Sequence, residues 1–297
     1  MTVEPLGGVP ACELGESPFW HPREAALYWI DIPGRALHRW TARDGVHRHW
    51  RLPTEPGCVA PVLGGALLLA LRDGLWRFDP DAEPTQCVAK APYDTATQRF
   101  NDGKADALGR MWVGTYSEDG RTGEAALYRF AGGRLERMAG GISASNGLAW
   151  SPDGRTMYWA DTRAHVVHAF DFDVAGGGLS RQREFARFAP RDAAAPAGYG
   201  GRPDGAAVDA EGGYWVAMYE GARLLRLAPD GALLREVPLP VRCPTMPCFG
   251  DDDLKTLYVT TARKGRSADE LAREPWAGRV LRLRVDVPGL PVNFAQA

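Results

Sequence analysis

An all-β, six-bladed β-propeller with four-stranded antiparallel blades is the fold the sequence predicts, and three observations carry that expectation. Six short segments rich in aromatic and β-branched residues begin at residues 26, 66, 110, 156, 213 and 256, so they recur 40 to 57 residues apart. Turn signals stand ahead of them, as at Pro22-Arg-Glu24, Ala107-Leu-Gly109 and Pro152-Asp-Gly154. Helical periodicity is scarce; only Ser267 to Arg273 reads as a turn or two of helix. A repeat of this length with several strands per unit is the mark of a propeller. A β-sandwich would give many short strands but not six units in one register. We expect one propeller domain over residues 1–297.

Each unit supplies a central strand on β-propensity and flanking turns. In order they are Ala26-Leu-Tyr-Trp-Ile30, Ala66-Leu-Leu-Leu-Ala70, Arg110-Met-Trp-Val-Gly114, Thr156-Met-Tyr-Trp-Ala160, Gly213-Tyr-Trp-Val-Ala217 and Thr256-Leu-Tyr-Val-Thr260. A following strand carries an aromatic or basic pattern in most units, for example Leu37-His-Arg-Trp40, Gly74-Leu-Trp-Arg-Phe78 and Ala126-Leu-Tyr-Arg-Phe130. The longest interval contains 188–202, a Pro-, Ala- and Gly-rich stretch that no core strand would use. A long connection of this kind is often functional, and Tyr199 and Arg202 on it are candidates to shape substrate access.

The register also places polar residues. Counting back a fixed distance from the turn ahead of each central strand gives Glu16, Asn101, Asn146, Asp204 and Thr245. These positions start the first strand of each unit, the one that lines the central channel of a propeller, so they converge at one depth on one axis. Asn or Asp before Gly, as in Asn146-Gly147 and Asp204-Gly205, is also a plain turn former. Turn formation alone does not require several blades to put such residues at one depth. Glu16, Asn146 and Asp204 together offer two anionic oxygens and one neutral carbonyl oxygen. That hard-oxygen set suits Ca²⁺, Mg²⁺ or Mn²⁺ better than metals that prefer thiolate, and it leaves positions open for water and substrate.

Composition excludes other classes. The net charge is −2, from 35 basic and 37 acidic residues without a long basic run, so nucleic acid and anionic membrane find no electrostatic footprint. The most apolar stretch, Val62 to Leu71, is too short to span a bilayer, and Met1 to Trp20 lacks the pattern of a secretory signal. Five scattered cysteines without a CxxC pair signal neither a zinc site nor a disulfide framework; a reduced, cytoplasmic setting is the expectation. His165 and His168 lie on one strand-like segment with no third ligand nearby and read as packing or surface residues. No Gly-x-Ser-x-Gly elbow is present, which argues against a serine nucleophile.

Several segments resemble signatures of the SMP-30/gluconolactonase/regucalcin family, in order and at compatible spacing from about residue 12 to 286. They are Leu14-Gly-Glu-Ser-Pro-Phe-Trp20, Arg99-Phe-Asn-Asp-Gly-Lys104, Ser145-Asn-Gly-Leu-Ala-Trp-Ser-Pro-Asp-Gly154, Arg202-Pro-Asp-Gly-Ala-Ala-Val-Asp-Ala-Glu-Gly212, Pro244-Thr-Met-Pro-Cys-Phe-Gly250 and Leu257-Tyr-Val-Thr-Thr-Ala-Arg263. The resemblance implies a six-bladed propeller with one divalent ion on its axis (Ca, Mn, Mg or Zn) and hydrolysis of a sugar lactone. It matches Glu16, Asn146 and Asp204 to the metal ligands, Asp204 also to the general base, and Arg99 and Asn101 to substrate contacts. An acidic contact is expected in Tyr116-Ser-Glu-Asp-Gly120, at Glu118 or at Asp119. Two rival readings go with it: another metal-dependent hydrolase acting on an organophosphate or aryl ester, and a non-catalytic, regucalcin-like ion-binding protein. Oligomeric state is left open.

Overall fold

The computed structural model describes residues 2–194 and 198–297. The chain opens with a two-residue strand, β1 (Glu4–Pro5). Blade one follows as β2 (Gly15–His21), β3 (Ala26–Asp31), β4 (Ala36–Thr41) and β5 (His47–Arg51), and blade two as β6 (Pro56–Pro61), β7 (Leu67–Leu71), β8 (Gly74–Asp79) and β9 (Ala82–Lys90). Blade three holds β10 (Gln98–Ala105), β11 (Met111–Ser117), β12 (Ala125–Ala131) and β13 (Arg134–Ile142); blade four holds β14 (Ser145–Trp150), β15 (Thr156–Asp161), β16 (Val166–Phe172) and β17 (Leu179–Arg187). Blade five is β18 (Arg202–Val208), β19 (Tyr214–Tyr219), β20 (Arg223–Leu227) and β21 (Leu233–Pro238). Blade six contains β22 (Pro244–Gly250), β23 (Thr256–Thr261) and β24 (Leu281–Arg284), and it takes β1 as its fourth strand.

Every ladder is antiparallel, and the expected six blades are all present. The innermost strands touch in the cycle β2, β6, β10, β14, β18, β22 and back to β2, which closes the ring. The pairing of β1 with β24 joins the two ends of the chain within one blade, removing the open edge that an incomplete sheet would expose. The helical turn is α1 (Ala268–Arg273), between β23 and β24, with Ser267 and Glu270 forming a capping box. No helix among the described residues is long and apolar enough to cross a membrane.

The core lies between blades. Each of six apolar clusters joins residues of two neighbouring blades, for example Ala60, Leu68, Phe100, Met111 and Val113 from blades two and three. Trp29, Trp112, Trp159 and Trp215 of the central strands are fully buried, and each indole N–H finds an acceptor. Trp112 donates to Asp106 and Trp215 to Asp209, both at 2.8 Å, while Trp159 donates to Ser145 at 2.7 Å. These anchors explain why the Tyr-Trp segments read so clearly as strands: they bury a large ring and satisfy its one donor.

The last residues cross the end of the channel where the inner strands finish. Pro288 accepts from Ala210, Ala295 donates to Pro61, and Gln296 donates to Gly109, so the tail stitches blades five, two and three together. Beneath it is an apolar cavity of about 360 Å³ lined by Trp20, Trp150, Met246, Phe249 and Lys104, with Leu290 and Val292 of the tail. All five cysteines are free.

Candidate active site

Each inner strand departs from regular pairing at the same place. Register shifts fall between Glu16 and Phe19, Pro56 and Cys58, Phe100 and Gly103, Asn146 and Ala149, Pro203 and Ala206, and Pro244 and Met246. A bulge turns a side chain away from the ladder it would otherwise follow. Six repeats of the device put Glu16, Gly57, Asn101, Asn146, Asp204 and Thr245 at one level around the axis. Ser17 and Gly147, which follow two of these residues, adopt left-handed backbone with φ of 49° and 62°. Glycine suits that conformation; Ser17 tolerates it at a cost of order 1 kcal/mol.

The six positions are not equivalent in chemistry. Glu16, Asn101, Asn146 and Asp204 are buried but keep 6–8% of their surface exposed, so their polar atoms are still reachable. Thr245 turns its hydroxyl into the structure, donating to the Gly15 carbonyl at 2.6 Å. Gly57, on blade two, has no side chain, and a Cβ there would sit 2.4 Å from the Phe100 carbonyl. Blades two and three can meet this closely only with glycine at that point.

A network fixes the carboxamides. Asn101 donates from Nδ2 to Asn146 Oδ1 at 2.8 Å, and Asn146 donates from its own Nδ2 to Thr162 Oγ1 at 2.7 Å. Arg99, which can only donate, holds Asn101 Oδ1, so Asn101 Nδ2 faces Asn146 and sets which end of that amide is oxygen. Arg99 donates to Asn101 Oδ1 at 2.6 Å and stacks on Tyr116, with Cζ 4.9 Å from the ring centroid. Glu118 and Asp119 separate clearly. Glu118 lies 3.6 Å from Arg99 and takes two hydrogen bonds from Arg72, whereas Asp119 turns outward to Arg121 at 3.0 Å.

The electrostatics mark the two axial acids as only partly compensated. Burial first, then the charges of Asp204 and Asp102, hold Glu16 well above the usual carboxylate range. Burial also raises Asp204, with Asp102 adding to the rise and Arg202 and Arg99 opposing it. Glu16 accepts a single long hydrogen bond, 3.3 Å from the Ser17 amide. Two buried carboxylates that resist ionisation and touch no cationic side chain are what a bound divalent ion would stabilise. Glu16, Asp204 and the Asn146 carbonyl oxygen fit such an ion as hard oxygen donors. No group of three or more His, Cys, Asp or Glu side chains gathers at ligating distance among the described residues, so the amide oxygen is an essential part of this set.

Sequence reasoning passed over Asp102, Tyr116, Thr162 and Arg163. Asp102 lies one residue past the axial level, where Oδ2 accepts from the Leu148 amide at 2.9 Å and Oδ1 has no partner. Burial raises it, and the nearby Lys104 opposes that rise. Its position inside Asn101-Asp-Gly103, next to an axial residue, was the available signal. The other three sit on hairpins and outer strand ends, where no register relates one blade to the next. Of the loop candidates, Tyr199 shares a 2.8 Å hydrogen bond with His165, and Arg202 pairs with Glu220 at 3.4 Å and stacks on Tyr219. Residues 195–197 of the 188–202 stretch lie outside the described residues. His168 is half-buried in the β16 ladder, away from any ligand cluster.

Comparison with known proteins agrees with this architecture. The family description "SMP-30/Gluconolactonase/LRE-like region" matches residues 14–263. A 6-deoxy-6-sulfogluconolactonase of Pseudomonas putida is 45% identical over 279 residues, 93% of this chain and 92% of that protein. Regucalcin of Danio rerio is 35% identical over 284 residues, covering 94% of this chain and 93% of its own length. The crystal structure of a calcium-binding regucalcin from Agrobacterium tumefaciens superposes with a TM-score of 0.91 at 27% identity, covering 97% of this chain and 95% of that one. The chain described here belongs to the SMP-30/gluconolactonase/LRE-like family.

Proposed function

We propose that the protein hydrolyses a sugar lactone, an aldonolactone such as glucono-, arabinono- or xylonolactone, to the aldonic acid, with one divalent metal ion held by Glu16, Asn146 and Asp204. The observation that carries this reading is the pair of buried, only partly compensated carboxylates at one axial level, joined there by an oriented amide oxygen. Family membership supports it, and so does the lactonase named among the relatives.

A divalent ion bound there supplies Lewis acidity to the lactone carbonyl oxygen and to the charge that develops on it. The remaining work falls to side chains. Asp204 orients the attacking water and takes its proton as the oxygen adds to the carbonyl carbon. That proton passes to the ring oxygen as its bond to the carbonyl carbon breaks, so the open-chain acid leaves with atoms balanced. Arg99, Asn101 and Glu118 hold hydroxyl groups of the sugar. Their mutual contacts fix all three before substrate arrives, which lowers the ordering cost of binding.

The test is turnover of D-glucono-, L-arabinono- and D-xylono-lactones by chelator-treated protein with Ca²⁺, Mn²⁺, Mg²⁺ or Zn²⁺ restored singly. The reading expects hydrolysis that depends on the added ion. Ion binding without turnover of any lactone would instead favour a non-catalytic, ion-binding role.

A further inference from the structure

The apolar cavity under the C-terminal tail is walled by the inner strands of all six blades and holds one polar side chain that the axial site does not use. Lys104 starts on β10 of blade three and donates from Nζ to the Ala206 carbonyl on β18 of blade five, so its side chain lies across the channel. It lines the cavity and is only part-buried, because the surface it exposes inside the ring is cavity surface. Three residues along the strand from Asn101, it stands between the axial level and the tail.

Charges around the cavity are matched. Burial lowers the Lys104 pKa, and Asp102, two residues away, opposes that fall. Moving a proton between Lys104 and Asp102 leaves their sum unchanged, so the pair adds no net charge in either state. Arg110 pairs with Asp106 at 2.6 Å, and the charge of the exposed Asp153 is opposed by Arg155. An ionic occupant would therefore bring a charge that finds no partner among these residues.

Hydrogen-bonding capacity is as narrowly defined. The Ser17 hydroxyl accepts from the Val59 amide at 3.0 Å, and the Ser151 hydroxyl donates to Asp153 at 2.6 Å. Asn293 is exposed on the tail. Ala206 is the one acceptor described for Lys104 Nζ, so the amine, charged or neutral, keeps at least one N–H unspent. A sugar would bury several hydroxyls here without partners, a penalty this wall cannot return. A single acceptor oxygen on an apolar body matches it. An engineered cavity of about 150 Å³ takes benzene, so one of about 360 Å³ has room for roughly a dozen heavy atoms.

We propose that this cavity is a second binding site, for a neutral and largely apolar molecule of up to roughly a dozen heavy atoms whose carbonyl oxygen accepts from Lys104. The site does not depend on the lactonase reading. Entry is at the tail: Leu290 and Ala295 are anchored to Val208 and Pro61 at 3.4 and 2.7 Å, whereas Pro291 and Val292 between them form no hydrogen bond among the described residues.

Titration calorimetry with acetophenone, ethylbenzene and benzoate tests this, since the three are close in size and differ in the group offered to Lys104. Acetophenone should bind about fivefold or more tighter than ethylbenzene, the gain for one hydrogen bond in an apolar site. Benzoate should bind more weakly than acetophenone, because its charge has no free partner. Lys104→Met should bring acetophenone to within about twofold of ethylbenzene and leave ethylbenzene bound. Val292→Trp, which fills the cavity from the tail, should abolish binding of both. Thermal melting checks that each variant folds. Excess gluconate should leave the titration unchanged. The proposal is overturned if acetophenone does not bind up to its solubility limit, or if benzoate binds tightest. It is equally overturned if the ketone's advantage survives Lys104→Met, if Val292→Trp binds like wild type, or if gluconate competes.

Discussion

The two ends of the axial channel are built from the same six strands and have opposite chemistry. Where the inner strands start, bulges bring Glu16, Asn101, Asn146 and Asp204 to one level, and two buried carboxyls stand there without an ion-pair partner among the described residues. Where they finish, Trp20, Trp150, Met246 and Phe249 enclose an apolar cavity and the C-terminal tail lies across it. A few residues along each strand separate a polar end from an apolar, packed end. The difference teaches that a propeller can gather polar groups by register: one bulge per blade brings them to one level, and the rest of each strand is free to pack.

The sharpest way to break this comparison is at its polar end. Asp204→Ala should cut lactone turnover by roughly 10² or more, from losing an ion ligand and the base together. Its circular dichroism should match wild type, because blade packing does not depend on that side chain. Steady-state assay at saturating metal checks this, and near-wild-type activity would remove Asp204 from the site.

At the packing end the expectation inverts. Trp112→Ala should cost about 3–5 kcal/mol of stability, since it empties an interblade cluster and removes one of the two donors to Asp106 Oδ2, leaving Arg110. Denaturant unfolding measures it, and activity of the folded fraction should stay close to wild type. Deleting residues 288–297 should cost less, roughly 2–4 kcal/mol, by taking Ala295 out of an interblade cluster and uncovering the apolar floor. A truncated protein that loses turnover before it loses stability would show that the two ends are not separable in this way.

Adding a divalent ion should give the smallest effect, always stabilising, and its size grows with pH in a defined way. Glu16 and Asp204 have folded-state pKa values raised above their unfolded ones. Such groups leave full stability below the unfolded pKa of about 4 and subtract from it as pH rises through the folded pKa. The ion-free protein should therefore weaken from pH 5 to 8, and the rise in Tm on adding Ca²⁺ or Mn²⁺ should grow over that range, to a few degrees at about 100-fold excess over Kd. Scanning calorimetry with and without EDTA reads both. An equal ion effect at both pH values would contradict the electrostatic account.

Much of this division was legible in the chain itself, and the parts that were not have physical reasons. The Tyr-Trp central strands announced the blades because a buried ring with one satisfied donor constrains its neighbours strongly. The axial residues followed from register, with one gap: blade two shows Gly57 there, and a glycine chosen for close approach leaves no chemical trace. Closure by β1 was hidden because two residues, Glu4 and Pro5, carry no periodicity. That Glu118 turns toward Arg99 and Asp119 toward Arg121 needed the fold, since adjacent residues on a hairpin point to different sides. Arg163 and Thr162 were invisible for a related reason: hairpin residues obey no common spacing, and only their contacts reveal them.

The most direct test is anomalous X-ray diffraction from crystals of the protein grown with Mn²⁺. The account predicts one strong peak on the propeller axis, about 2.0–2.6 Å from oxygens of Glu16, Asn146 and Asp204, and its loss in Asp204→Ala. An axis without a peak, or a Mn²⁺ ion bound only at surface acids, would contradict it.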